Sequence, residues 1–318
     1  MGLGVDKIIR SILPNKILNI MYHGVVEKDS CFFSPRHITK KQFEEHLKYY
    51  KKNFKIITTH EAFKKLSKKE KIEEKYLTIS FDDGFKNNLT TALPLLEKYN
   101  IPTTFFISSL CSDDNESNYL WSELIAALNY FYKNELIEIN GLIFNNLICK
   151  KTNISLNDYI KSLEYDKRDE TLNLIEKKYD LKAKIETLPE EIWKLLNLKE
   201  LIELSKSKIV TIGSHGHRHF NLGKIEPEAA KEELSYSKKL LSKSINLEVD
   251  LIAYPDGSYN ETVKNIAEEL GYNGQFAVKY KSSNDYEDLR IINRHGLSST
   301  TTYHSNMLLL NVAFNKKN

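Results

Sequence analysis

Two carboxylates stand side by side at the end of an apolar run. In TISFDDGF, residues 78–85, Asp82 and Asp83 follow residues that suit a buried strand, and Gly84 comes next. Neighbouring side chains of a regular strand point to opposite faces. Both carboxylates can therefore serve one site only if the strand ends there and the backbone turns, which glycine permits. Their mutual repulsion must be relieved by a cation or by a proton on one of them.

A cluster of histidines offers the cation partners. SHGHRH, residues 214–219, places His215 and His219 four positions apart, with His217 between them. Residues four apart share a helix face, and in a turn they can also converge. Two imidazoles and one carboxylate commonly bind a divalent metal with an open coordination position. The pattern favours such a site, with the second aspartate as general base on a water made acidic by the metal. An exposed histidine cluster or a single core histidine is the alternative.

Three other strand ends carry residues able to do chemistry. His23 follows an apolar run in MYHG, and the segment Asp250–Tyr254 ends in Pro-Asp-Gly, residues 255–257. Late in the chain, INRHG adds Arg294 and His295. In parallel α/β folds the active site lies at the carboxyl ends of the strands. We therefore expect these residues to share one edge of the fold.

Apolar or alternating runs bounded by breakers predict the strands that carry these ends. The predicted strands are Ile17–Tyr22, Lys55–Ile57, Leu77–Phe81, Thr103–Ile107, Ile209–Gly213, Asp250–Tyr254, Gly274–Val278 and Leu289–Asn293. Helical patterns lie between many of them, at Lys40–Asn53, Leu89–Tyr99, Pro227–Ser242 and Asn260–Leu270. Strands that alternate with helices predict an α/β fold with a mostly parallel sheet. About eight such units favour a barrel, closed or incomplete, over an open sheet.

The strand–helix alternation fails between residues 111 and 207. Helical patterns at Tyr119–Lys133, Leu156–Asp180 and Glu190–Ser205 surround one hairpin signal, the Asn140-Gly141 pair in LIEINGLIFNN. We interpret residues 111–207 as a mainly helical insertion that covers one mouth of a single 1–318 barrel domain. As a lid it would govern substrate choice more than metal binding. Trp121 and Tyr119 could stack on a sugar, although packing in the insertion's own core is the favoured alternative.

These motifs together resemble a known family. FDDG, a later SHxxxH, a YPxG strand end and an early YHG are similar to the polysaccharide deacetylases of carbohydrate esterase family 4, the NodB-homology domain. The resemblance covers about residues 17–107 and 208–297. It implies a distorted (β/α) barrel of about seven strands and a metal-dependent hydrolase that removes acetyl from an N-acetylated sugar.

The resemblance also implies roles for individual residues. Asp83, His215 and His219 would bind the metal, and Asp82 would be the base. The expected substrate-binding residues are Tyr254, Pro255, Asp256 and Arg294, with the Asp256 N–H on the oxyanion. His217 falls on a variable position.

Two departures from the family pattern concern an arginine and an acid. The arginine that commonly orients the base is absent near Ile252 and Ala253, so Arg294 is a candidate stand-in. The C-terminal Leu-x-Ile-His pattern has no clean match. His23, His295 and His304 are candidates for the general acid, and we favour His23 because family members with an early YH strand end keep it near the metal.

Charge and hydrophobic pattern limit the classes of partner that the protein is expected to bind. The net charge of +3 over 318 residues is too small to favour nucleic-acid binding. The sequence contains no run of 18 apolar residues, the length that a membrane-spanning helix needs. The N-terminal residues lack a signal-peptide pattern, so we expect a cytoplasmic protein. Val5–Leu13 could touch a membrane surface peripherally, although a packed terminal helix is favoured. The substrate expected from this location is a nucleotide-linked or lipid-linked N-acetyl sugar, with polysaccharide as the other option.

The expected cofactor is one divalent ion. Zn²⁺ suits an Asp-His-His set best, and Co²⁺, Ni²⁺, Mn²⁺ or Fe²⁺ would also fit. Two functional alternatives stay open from the sequence: an amidase acting on a non-sugar amide, and an inactive member that only binds carbohydrate.

Overall fold

The computed structural model of the protein describes residues 16–30, 32–112, 118–298 and 306. Val5–Leu13 and His304, which the sequence singles out, lie outside these residues. The strands are β1 (Ile17–Tyr22), β2 (Gly24–Val26), β3 (His37–Thr39), β4 (Lys55–Ile56), β5 (Tyr76–Phe81), β6 (Thr103–Ile107), β7 (Leu136–Ile139), β8 (Leu142–Asn145), β9 (Ile148–Cys149), β10 (Val210–Ser214), β11 (Leu251–Ala253), β12 (Gly274–Ala277), β13 (Ile291–Asn293) and β14 (His295–Gly296).

The α-helices of the described residues surround or interrupt these strands. They are α1 (Lys40–Asn53), α2 (Thr59–Ser67), α3 (Leu93–Tyr99), α4 (Trp121–Phe131), α5 (Leu156–Ser162), α6 (Tyr165–Lys178), α7 (Leu181–Ile185), α8 (Leu198–Ser205), α9 (Pro227–Ile245) and α10 (Glu261–Glu269). None of them combines the length and apolar character needed to cross a bilayer.

The main sheet is a nearly closed barrel of parallel strands. Its order is β13, β12, β11, β10, β6, β5, β1 and β14, with β4 added beside β5. Only Arg294 separates β13 from β14, so one chain segment pairs with β12 on one side and with β1 on the other. This segment links the two edges of the sheet and brings the barrel close to closure. The predicted distorted (β/α) barrel is therefore confirmed.

Local sequence explains why these elements form. All six residues of β5 are buried, as expected for a parallel strand covered on both faces. Helix α1 begins after Thr39, whose hydroxyl accepts a hydrogen bond from the Gln42 N–H at 3.3 Å. Helix α10 is capped in the same way by Asn260. The predicted bounds of β1, β6 and α1 agree with the observed ones residue for residue.

The segment between β6 and β10 has an apolar core of its own. Buried residues from Tyr119 to Trp193 pack with one another, joined by Val26 and Phe33. The predicted hairpin is present, because β7 and β8 pair antiparallel across Asn140 and Gly141, both with positive φ. Helix α8 packs instead on the barrel core. The limits 111–207 for an insertion stay a prediction.

Candidate active site

The FDDG turn lies at the carboxyl end of β5. Asp83 has φ 77° and Gly84 has φ 88°, so the backbone leaves the strand through two left-handed residues. Asp82 is still held in register, because its N–H donates to the Tyr22 carbonyl at 2.9 Å. The turn brings both carboxylates beside the same ring. The Nε2 atom of His215 lies 3.4 Å from Asp83 Oδ1 and 3.9 Å from Asp82 Oδ2.

Asp83, His215 and His219 form a buried group that could hold a metal ion. One ligand atom from each residue lies within 4.8 Å of the others. The second histidine, His219, places its Nε2 3.3 Å from Asp83 Oδ1. His215 Nδ1 donates to the Ala253 carbonyl at 2.7 Å, which leaves Nε2 with its lone pair free to bind a cation.

The donor set of this group fits a divalent cation. Asp83 Oδ1 is buried and accepts no hydrogen bond from the described part of the chain. Burial by itself raises the pKa of the Asp83 carboxyl, but His215 and His219 hold that pKa well below its usual value. The carboxylate is thus kept charged at the point where two imidazole nitrogens converge. An oxygen and two nitrogens with room for further ligands suit Zn²⁺ and similar ions.

Asp82 is clamped by Arg294. The guanidinium donates from Nη1 to Asp82 Oδ1 at 2.6 Å and from Nη2 to Oδ2 at 2.7 Å. It also donates to the Ser80 hydroxyl at 3.1 Å. Burial by itself raises the pKa of Asp82, but the charge and hydrogen bonds of Arg294, together with His215 and His23, hold the pKa below the usual value. Asp82 is therefore an ionised carboxylate in a fixed orientation.

Arg294 thus lies where the stand-in hypothesis requires it. It reaches Asp82 from the break between β13 and β14, whereas the family motif would bring an arginine from β11. Because its side chain is 1% exposed and bonded to Asp82, the geometry does not offer Arg294 as a direct substrate contact. Its role in substrate binding stays a prediction from the sequence, and the side-chain contact that the structure shows is the one with Asp82.

The Tyr254-Pro255-Asp256-Gly257 turn is divided between core and site. The Tyr254 side chain is fully buried, and its hydroxyl donates to Gln275 Oε1 at 2.7 Å, so it fills the core instead of lining a pocket. Pro255 is buried as well. Asp256 has φ 53° and pairs with Lys161 at 3.0 Å. Of this turn, Asp256 is the residue that borders the cavity described next.

A cavity of about 340 Å³ adjoins the metal-binding group. The residues that line it include His219 and Asp256 from the barrel, together with Arg36, Trp121 and Lys161. Its walls mix polar groups with apolar ones from Phe33, Ile125, Ala126 and Leu147. Such a mixture suits a sugar ring, which has polar edges and apolar faces. The volume lies at the lower end of the usual range for small-molecule sites.

The histidines outside the metal-binding group differ in position. Burial lowers the pKa of His23, and the charges of Asp83 and Asp82 oppose that shift, so His23 lies within reach of the site's charges. His295 is half-buried in β14, opposite Ile20 of β1. His217 lies 3.0 Å from the Ser109 hydroxyl through Nδ1 and packs edge-on against Tyr236. It supports the loop that carries His215 and His219.

Three residues at the site carry no local sequence signal. Arg36 donates from Nη1 to Asp83 Oδ2 at 3.2 Å, and it pairs with the buried Glu123. Glu233, also buried, accepts the backbone N–H groups of His217 and Arg218 at 3.0 and 2.9 Å. In the sequence, Glu233 resembles the solvated face of a Glu/Lys-rich helix. Only the fold brings these residues to the metal-binding group.

Fold and site together define a hydrolase-like barrel with an Asp-His-His group at the carboxyl ends of its strands. The family model described as polysaccharide deacetylase matches residues 69–130 and 166–274. The chain belongs to the polysaccharide deacetylase family.

Individual relatives agree with this assignment. YxkH of Bacillus subtilis (strain 168), named for the same family, is 24% identical over 83% of this chain, which spans 65% of YxkH's length. The poly-beta-1,6-N-acetyl-D-glucosamine N-deacetylase of Staphylococcus aureus (strain MSSA476) is 23% identical over 87% of this chain and 74% of its own length.

Solved structures share the fold. The deacetylase PplD of Streptococcus pyogenes superposes with a TM-score of 0.59 at 17% identity, covering 93% of this chain and 98% of PplD. IcaB of Ammonifex degensii superposes with a TM-score of 0.60 at 14% identity, covering 96% and 99% of the two chains.

Proposed function

We propose that the protein is a metal-dependent hydrolase that removes the N-acetyl group from an amino sugar. The observation that carries this proposal is the pairing of two carboxylates with different partners. Asp83 faces His215 and His219, while Asp82 is held ionised by Arg294 beside them. One carboxylate is thus available to a cation and the other to a proton.

The mechanism follows from these partners. A divalent ion held by Asp83, His215 and His219, for which Zn²⁺ is our first choice, would polarise the amide carbonyl and make water more acidic. Asp82 takes the proton of the attacking water, and Arg294 keeps the carboxylate aimed and charged. The Asp256 N–H donates to the oxyanion, a kind of contact that contributes about 3–4 kcal/mol. His23 passes a proton to the leaving nitrogen, so that acetate and a free amine result.

The substrate proposal rests on the relatives and on the cavity. The Staphylococcus aureus relative is named for poly-β-1,6-N-acetyl-D-glucosamine, so an N-acetylglucosamine residue is the acetyl donor we propose. A cavity of about 340 Å³ suits one sugar residue enclosed at a time. Whether that residue belongs to a polymer, a lipid-linked or a nucleotide-linked precursor is resolved by the assay below. A cytoplasmic location stays a prediction from the sequence.

The test is acetate release across a substrate panel. The panel contains β-1,6-linked N-acetylglucosamine oligomers, a nucleotide-linked N-acetyl sugar and a lipid-phosphate-linked one. A cyclic imide is included as the non-sugar amide, and its turnover is followed by ring opening because its hydrolysis releases no acetate. Each reaction is run with Zn²⁺, after chelation, and with the Asp82→Asn variant. We expect release from at least one sugar, abolished by chelation and restored by added metal. Turnover of the imide alone would refute the sugar assignment, and bound metal without any turnover would refute the enzymatic one.

A further inference from the structure

The backbone of His219 is held by residues from the segment between β6 and β10. His219 has φ 56°, an unfavourable conformation for a residue with a side chain, which persists only where its surroundings hold it. Its carbonyl oxygen accepts one hydrogen bond from Trp121 Nε1 at 3.3 Å and another from Arg168 Nη2 at 3.2 Å. Both donors lie in the helical segment, on α4 and α6, and not on the barrel.

The Arg168 side chain is buried and held between two aromatic rings. Its side chain is 2% exposed, and its guanidinium carbon lies 4.6 Å from the centre of the Trp121 ring and 4.2 Å from that of Phe220. Burial lowers the pKa of Arg168 to about 10, so the group stays charged at neutral pH. A charged planar donor fixed between two rings is a strong and well-oriented partner for a carbonyl. Phe220 is the residue directly after His219, so the contact restrains both.

Helix α4, which carries Trp121, also contacts Asp83 indirectly. Glu123, in the first turn of α4, is fully buried and pairs with Arg36. Arg36 in turn donates to Asp83 Oδ2, and Asp83 Oδ1 is the oxygen that faces the two histidines. The first turn of α4 therefore touches two of the three metal-binding residues, His219 through Trp121 and Asp83 through Glu123 and Arg36.

A third contact holds the loop between the histidines. The Tyr165 hydroxyl of α6 donates to Glu233 Oε1 at 3.2 Å. The other oxygen of Glu233 accepts the N–H groups of His217 and Arg218. These contacts come from four residues on helices α4 and α6, and they converge on residues 215–219 and Asp83.

We propose that the helical segment is a structural part of the metal centre, with Trp121, Arg168 and Glu123 as positioning residues for His219 and Asp83. The proposal rests on the metal site of the proposed function and assigns that segment a role other than a lid. Its consequence is that variants in α4 and α6, none of them a metal ligand, lower metal affinity. A segment that only selected substrate would leave metal affinity unchanged.

The test compares two tryptophans in the full chain. Trp121→Phe removes the indole N–H that reaches His219. Trp193→Phe is the matched control, because the Trp193 side chain is also buried and its Nε1 donates to the Leu188 carbonyl at 3.1 Å, outside the metal-binding group. Zn²⁺ is titrated into chelator-treated protein by competition with a coloured chelator, and thermal unfolding is recorded without metal. We expect affinity to fall about 10-fold for Trp121→Phe and to stay unchanged for Trp193→Phe.

Arg168 and Glu123 give independent tests. Arg168→Met should weaken Zn²⁺ binding by about 10- to 100-fold, and Arg168→Lys should recover part of the loss because an ammonium can still donate to the His219 carbonyl. Glu123→Gln removes one of the two carboxylates that face Arg36, so more of its positive charge acts on Asp83 and on the bound cation, and affinity should fall. The double variant Arg36→Met with Glu123→Gln should restore part of it.

Each result distinguishes this inference from the proposed function. A wild-type protein that binds no Zn²⁺ would overturn the metal site itself. A wild type that binds Zn²⁺ tightly, together with Trp121→Phe and Arg168→Met variants that bind it as tightly, would overturn the positioning role alone. Equal losses for Trp121→Phe and Trp193→Phe, with equal drops in metal-free stability, would show a general packing effect and also overturn it.

Discussion

Losing Asp83 and losing Asp82 should have different consequences. Asp83 Oδ1 lies 3.3 and 3.4 Å from the two imidazole nitrogens, so Asp83→Asn removes the negative charge at the point where the donors converge. At about 4 Å and an effective dielectric constant near 20, one unit of opposite charge contributes about 4 kcal/mol. That corresponds to about a thousandfold loss of metal affinity. Activity should disappear with the metal.

Asp82→Asn should keep the metal and lose the rate. The Asp82 carboxylate lies farther from His215, at 3.9 Å, and its two oxygens are bonded to Arg294. An amide cannot take the water's proton, so turnover should fall by about 10²–10⁴-fold at full metal loading. Removing one partner of a buried ion pair also destabilises the fold by about 3–5 kcal/mol. Thermal unfolding must therefore be measured beside activity.

The assay pairs metal content with acetate release. Asp250→Asn is the control, because Asp250 pairs with His60 and lies outside the metal-binding group. We expect Asp250→Asn to change neither quantity. An Asp82→Asn variant with full activity and bound metal would refute the role of Asp82 as base. An Asp83→Asn variant that binds metal as tightly as the wild type would refute the ligand assignment.

Three further outcomes are expected. Arg294→Met should lower acetate release about 10- to 100-fold at unchanged metal content, because Asp82 loses the two hydrogen bonds that orient it. Arg294→Lys should recover part of the rate. Equal rates for the wild type and Arg294→Met would contradict this role of Arg294. His23→Gln should slow turnover by about 10²–10⁴-fold at equal metal loading, with acetate release as the readout, and an unchanged rate would leave His295 as the candidate acid. His46 is a buried residue of α1. Burial lowers its pKa to about 4, against about 6.5 in the unfolded chain. Its contribution to the free energy of unfolding is therefore fully present above pH 6.5 and falls by about 3 kcal/mol as the pH drops toward 4. Urea midpoints at pH 7.5 and 4.5 should therefore differ less for His46→Gln than for the wild type, and equal differences would contradict this.

The sequence by itself determined the elements and the core of the site. Buried strands appear in the sequence as continuous apolar runs. Thr39 caps a helix and the Asn140-Gly141 pair forms a hairpin turn, and both effects depend on residues only a few positions apart. The FDDG turn and the SHGHRH segment are likewise compact motifs. Because parallel strands present their carboxyl ends at one edge, placing these motifs together required only the fold class.

The tertiary structure alone decided which distant side chains complete the site. Arg294 lies 212 positions from Asp82, and Trp121 lies 98 positions from His219. Such pairings depend on where the closing strand breaks and on how α4 and α6 pack over the barrel. No local pattern carries that information, because a buried arginine or glutamate has the same sequence appearance as a solvated one. The packing of α4 and α6 places the segment that the sequence predicts as a lid in contact with the metal-binding loop.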